Sequence, residues 1–244
     1  MRWWPCNGPS GCTGSVTLSA DAFHPIRPAA TVILWRKAAD GINVLMGQRG
    51  AGAVFMPSKF VFPGGAVDPA DHAVALARGL DATTSARLAL CSDGLAPETL
   101  AAAAIRELWE ETGLAMAHPG RWSPAHDAGK DWARMAGAGL QPDAASLRLV
   151  FRAITPPGRS RRFDARFFLA PAGAVAGDAS DLAAASGELS HLQWITLDRA
   201  RLLDLPFITE VVLAEVGHLL GGGRDDGAPF FDNSTDQPTF RRLA

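Results

Sequence analysis

Apolar and polar positions along the chain recur in patterns that predict discrete elements. Thr31 to Trp35 is β-branched and apolar, Asp40-Gly41 is a turn dipeptide, and Ile42 to Gly47 is apolar again, so a β-hairpin is expected from about Pro28 onward. A short run from Phe60 to Phe62 stops at Pro63-Gly64-Gly65, where two glycines predict a sharp turn. Helical pieces at Asp71 to Arg78 and Ser85 to Cys91, broken by Gly79 and by Ser92-Asp93-Gly94, read as an insertion. The clearest helical pattern spans Leu100 to Thr112: Thr99 is available as N-cap, the first half is alanine-rich, and Gly113 is placed as a stop. An irregular stretch, Pro119 to Gln141, holds a short helix at Lys130 to Met135. Strands are then expected at Leu147 to Thr155 and Phe163 to Ala170, joined by Pro156-Pro157-Gly158 and a basic loop with Arg159, Arg161 and Arg162. A strand at Leu192 to Ile195 and helices at Asp198 to Leu203 and Pro206 to Leu220 follow, and Gly221-Gly222-Gly223 opens a polar tail. Interleaved strands and helices define a mixed α/β class.

Composition narrows the choice of function. At 244 residues, 48% hydrophobic and 20% charged, the chain can bury a full core as one domain with insertions. Residues 1–27 are expected to be a disordered leader, 28–222 the folded domain with its insertion at about 68–96, and 223–244 a polar C-terminal tail. A net charge of -2 argues against a chain that coats nucleic acid or an anionic membrane. No run approaches the roughly 18 apolar residues of a transmembrane helix, and the amino terminus lacks the apolar core of a secretion signal, so a cytoplasmic protein is expected. The cysteines are Cys6, Cys12 and Cys91, with no further Cys/His pair at zinc spacing, and tyrosine is absent, which excludes chemistry built on a phenol.

Candidate chemistry concentrates on the long helix. Spacings of three and four residues bring Glu107, Glu110 and Glu111 onto one face, while Ala101, Ile105, Leu108 and Trp109 lie opposite. Three like charges this close destabilise a helix unless a counter-charge sits among them, and Glu111 near the C-terminal end also opposes the macrodipole. An oxygen-only donor set suits Mg²⁺ or Mn²⁺.

Glu98, then seven residues, then Arg106-Glu107-Leu108-Trp109-Glu110-Glu111-Thr112-Gly113-Leu114 reads E-x7-R-E-U-x-E-E-x-G-U, with U aliphatic. This resembles the signature of the Nudix hydrolases. In that family the signature opens G-x5-E, whereas here 32 residues separate Gly65 from Glu98, so the intervening segment looks like an insertion within it. The resemblance implies an α/β/α sandwich around a mixed β-sheet, with helical insertions, that cleaves the pyrophosphate bond of a nucleoside diphosphate linked to another group. It implies Glu107, Glu110 and Glu111 as metal ligands with the Gly65 carbonyl, Glu98 as an auxiliary ligand, and Arg106 as their orienting partner. Glu107 and Glu188 are rival bases for the attacking water, and the resemblance also makes a homodimer a reasonable expectation. A catalytically silent nucleotide sensor of this family is expected to have lost a signature carboxylate, and here all are present.

Phe55 to Asp71 and Ile154 to Ala170 resemble a long-insertion subgroup that includes coenzyme A and acyl-coenzyme A diphosphatases. The pattern L-L-T-x2-R-[SA]-x3-R-x3-G-x3-F-P-G-G lies without gaps on Val44 to Gly65. Arg49, Phe62, Pro63, Gly64 and Gly65 match; Gly50, Val54 and Ser58 depart from it, and Val54 removes an arginine that could pair with a phosphate. A dinucleotide, a nucleotide sugar or a nucleoside triphosphate are the alternative substrates. Arg49, Arg162 and Arg166 are the candidate substrate contacts; Arg162, Asp164 and Arg166 alternate along one strand and so share one side.

Overall fold

A computed structural model describes residues 25–244 except 93, 126 and 127. Cys6, Cys12 and all but the last three positions of the expected leader lie outside the described residues. The strands are β1 (Ile26–Ala38), β2 (Gly41–Arg49), β3 (Phe60–Val61), β4 (Gly64–Ala66), β5 (Ala117–Pro119), β6 (Leu140–Pro142), β7 (Arg148–Ile154), β8 (Arg162–Pro171), β9 (Leu189–Thr196), β10 (Ala228–Asp232) and β11 (Thr239–Leu243). The helices are α1 (Ala82–Ala89), α2 (Pro97–Thr112), α3 (Gly129–Gly137), α4 (Leu197–Ala200) and α5 (Phe207–Leu220).

Among the described residues, one nine-stranded sheet runs β11-β10-β7-β8-β1-β2-β3, with β4 on β1 and β9 on β2. Its β1–β8 and β7–β10 pairs are parallel and the others antiparallel, so the sheet is mixed as expected. The period-2 alternation of β1 divides the core: Ala30, Val32 and Leu34 pack beneath α2, while Ile33 packs with Val212, Leu213 and Val216 of α5. Helices therefore cover both faces in an α/β/α sandwich. No helix of the described residues is long and apolar enough to cross a membrane.

Three expectations change. Helix α2 starts at Pro97 with Ala96 at the cap rather than Thr99, because proline at the first helical position has its φ already set and lacks the N–H that would go unpaired. Gly64 and Gly65 make no left-handed turn; neither has a positive φ, and both lie in β4, antiparallel to β1. Close approach is what demands glycine: a Cβ on Gly64 would lie 2.5 Å from Thr31 Oγ1 and 2.6 Å from the Ala30 carbonyl oxygen. The C-terminal tail, finally, adds β10 and β11 to the edge of the sheet. Ala228, Phe230 and Leu243 are buried there, and burying a phenylalanine side chain contributes roughly 1.5–3 kcal/mol.

Candidate active site

The buried side of α2, Ala101, Ile105 and Leu108, anchors the helix against the sheet and holds the carboxylate side toward β4. The Gly64 N–H donates to Glu111 Oε2 at 2.9 Å. A Cβ on Gly65 would sit 2.5 Å from Glu107 Oε2, so this glycine lets the strand backbone reach the carboxylate. At the far end, Gly113 has φ +76 and its N–H bonds the Trp109 carbonyl, which stops the helix just after the acidic pair.

Arg106 organises the face. Its Nε and Nη2 grip Asp71 Oδ1 and Oδ2 at 2.9 and 3.0 Å, Nη2 also donates to the Ala66 carbonyl, and Nη1 reaches Glu107 at 2.9 Å and Glu110 at 3.1 Å. The Asp71 partner was not anticipated. Glu98, expected beside the metal, is instead exposed in the first turn of α2, where it precedes Glu107 by nine residues, or roughly 13 Å along the axis. Asp71 follows Gly65 after five residues, so the G-x5 spacing carries Asp where the signature has Glu, and the insertion falls between Asp71 and Arg106. That spacing is legible in the sequence, beside the competing glutamate separated from Arg106 by seven residues.

The face is electrostatically unfinished. Burial pushes the Glu111 carboxyl well above the usual range, and the Glu107 and Glu188 charges add to the shift. Glu107 is raised by burial against the opposing pull of Arg106. Glu110 is pushed up to about 8 by burial and by the neighbouring Asp131. Burial disfavours the Arg106 cation, but the bond to Asp71 and the charges of Glu107, Asp71 and Glu110 hold its pKa above the ordinary value.

A hard divalent cation fits this donor set. Among the described residues no group of three His, Cys, Asp or Glu side chains is arranged to hold a metal ion. Mg²⁺ usually binds through one or two carboxylates and completes its octahedron with water and substrate phosphates. Glu111, buried, and Glu107, half-buried, repel each other and are set against the glycines of β4, and Glu110 beside them also meets Arg106 and Asp131.

Arg49 ends β2 next to this face. Its Nη2 lies 3.7 Å from Glu188 Oε1, its Nε is buried without a hydrogen-bond partner, and its charge reaches Glu111. Glu188, with its side chain 62% exposed, therefore joins Glu107, Glu111 and Arg49 in one neighbourhood. The other two arginines are placed differently. Arg162 is buried, donates to the carbonyls of Thr155, Asn233 and Ser234, and so ties β8 to the C-terminal turn, not to a substrate. Arg166 shares a row with Ala30 and Gly65, about 10 Å from Gly65 across two strand spacings. It is buried, with Nη1 bonded to the carbonyl and a carboxylate oxygen of Asp164. Trp109 and Trp194 pack partly buried against the core with Arg134 and Arg36 over their rings.

The NUDIX domain family model matches residues 25–216. The chain belongs to the Nudix family. It is 30% identical over 193 residues to the "Putative nudix hydrolase 7" of Caenorhabditis elegans, covering 75% of this chain and 54% of that protein. The chain thus spans about half the length of that curated relative. A crystal structure of a NUDIX hydrolase from Alicyclobacillus acidocaldarius superposes with a TM-score of 0.58 at 27% identity, covering 79% of this chain and 91% of that one. Strands β10 and β11 lie beyond the matched residues.

Proposed function

We propose that this chain is a Mg²⁺- or Mn²⁺-dependent hydrolase that splits the pyrophosphate bond of a nucleoside diphosphate linked to another moiety. The observation that carries the reading is the Arg106 clamp, which holds Asp71, Glu107 and Glu110 at 2.9–3.1 Å while Gly64 holds Glu111. Glu107 and Glu111 are the ligands, with Glu110 and the Gly65 carbonyl completing the protein's share. A bound cation would supply neutralisation of the phosphate oxygens and a water of lowered pKa.

The chain's own groups do the rest. Arg106 keeps the two glutamates fixed so that no reorganisation is needed as charge develops. Arg49 offers unmet hydrogen-bonding capacity at the edge of the face and grips a substrate phosphate. Glu188, exposed beside it, accepts the proton of the attacking water, with Glu107 as the rival for that task.

Coenzyme A or an acyl-coenzyme A is the first substrate to test. Ser58, where the coenzyme A pattern has glycine, has φ +60, and the preceding Met56 has φ +50, so the loop keeps a left-handed path that glycine adopts without penalty. Val54, where the pattern has a second arginine, is 66% exposed and offers a phosphate no hydrogen bond.

The test is a Mg²⁺-dependent hydrolysis screen of coenzyme A, acyl-coenzyme A, NADH, ADP-ribose, nucleotide sugars, dinucleoside polyphosphates and nucleoside triphosphates, with products identified by mass. Release of phosphopantetheine and 3′,5′-ADP from coenzyme A is the expected outcome. Turnover of another member of the panel keeps the chemistry and replaces the substrate. Turnover of none would overturn the enzymatic reading.

A further inference from the structure

We propose that Trp132 of α3 is a positioning residue that fixes the Asp71–Arg106 clamp and, through it, Glu107 and Glu110. The inference rests on the reading of α2 as the metal-binding face. Asp71 is 1% exposed and accepts four hydrogen bonds. Arg106 Nε and Trp132 Nε1 donate to Oδ1, at 2.9 and 3.2 Å; Arg106 Nη2 and the Asp68 N–H donate to Oδ2, at 3.0 and 2.8 Å. Of these donors the indole alone comes from outside the stretch between Gly65 and Gly113. A buried carboxylate whose lone pairs are taken up in fixed directions holds its arginine in one plane. Because one Arg106 nitrogen, Nη1, serves both Glu107 and Glu110, rotation of that plane displaces both glutamates.

Trp132 is itself held. It is fully buried, its ring meets Trp122 edge-on at 6.1 Å, and the Trp122 indole donates to the Leu140 carbonyl at 2.7 Å. The flanking residues of α3 close on α2 as well, with the Arg134 guanidinium 4.8 Å from the Trp109 ring centre and Asp131 beside Glu110. Leucine or phenylalanine would fill much of the same volume. Among large apolar side chains tryptophan alone adds an N–H donor, and here that donor is spent on Asp71.

The experiment measures Mn²⁺ binding to the substrate-free protein by calorimetry, alongside kcat and KM, for wild type, Trp132→Phe and Met135→Leu. Trp132→Phe is expected to weaken Mn²⁺ binding and lower kcat by about tenfold each, the lower end of what losing an outer partner costs a metal site, with KM little changed. Met135→Leu, a packing change in the same buried helix face, should leave both unchanged. Wild-type Mn²⁺ affinity in a folded Trp132→Phe protein would overturn the inference and leave the proposed function standing. Absence of Mn²⁺ binding by the wild type would remove both. Should Trp132→Phe fail to fold, the wild-type indole N–H resonance of Trp132 is followed through a Mg²⁺ titration; a shift supports the linkage and an unmoved resonance overturns it.

Discussion

Two regions of this molecule gather charge, and they do so in opposite ways. On and around the sheet, Arg152 grips both oxygens of Asp164 at 2.8 Å, Arg166 joins the same carboxylate, Arg87 of α1 and Arg148 of β7 share Asp225 ahead of β10, and Arg241 holds Asp232. Asp225 is pulled down to about 2 because the bonds from Arg87 and Arg148 override its burial. On α2 the carboxylates move the other way, with Glu107 and Glu111 raised and Glu110 at about 8. In the first region arginines outnumber the carboxylates that they hold, while on α2 Arg106 faces more carboxylates than it can neutralise. Every carboxylate of the first region has at least one arginine on it, whereas the excess of carboxylates on α2 is the feature that the proposed cation would answer.

The comparison breaks first at Glu111. Glu111→Gln should lower turnover by about a hundredfold or more, some 2.7 kcal/mol in the barrier, with the fold intact. Unchanged kcat would move the metal off α2. Next in size is Arg152→Met, which strips the bidentate partner from buried Asp164 and should cost about 3 kcal/mol of stability. Denaturant melts should show that loss while kcat and KM per folded molecule stay at wild type.

Arginines sharpen the contrast further. Arg49→Ala should raise KM by about tenfold, or ~1.4 kcal/mol, with a smaller effect on kcat. Arg162→Gln should leave KM unchanged and lower the melting temperature, since its bonds run to carbonyls of the C-terminal turn. A raised KM in Arg162→Gln would return that side chain to the substrate. The smallest effect is on Asp225. Its folded pKa lies below its ordinary 3.8, so the stability that it adds is present above about pH 4 and lost as pH falls toward 2. Asp225→Asn should therefore cost about 1 kcal/mol at pH 7, discounted for partial exposure, and progressively less as pH falls through about 2.

Local periodicity made much of the fold legible. The β1–β2 hairpin, β7, β8 and α2 all lie within a few residues of where pattern and turn chemistry place them. The C-terminal strands were hidden because Gly, Asp, Ser and Pro dominate that stretch, and its apolar alternation is short: Ala228 and Phe230 on one strand, Leu243 on the next. At the site, spacing within one helix put Glu107, Glu110 and Glu111 together, but residue type alone misled at Glu98. The carboxylate that Arg106 holds is instead Asp71, 27 residues earlier in the chain. For Arg162 and Arg166 the alternation correctly gave one shared side of β8, while their bonding depends on Asp164 and on Asn233 and Ser234, partners that only the folded chain brings near. Trp132 had no local signal at all, because its partner lies 61 residues away.

The most direct test of the claim that the α2 face is completed by a cation is the melting temperature of wild type and Glu111→Gln, each with and without Mg²⁺. The account predicts that Mg²⁺ raises the wild-type value, that Glu111→Gln melts higher than wild type in the absence of metal because a buried repelling charge is gone, and that Mg²⁺ no longer moves it. An equal Mg²⁺ response in both proteins would contradict it.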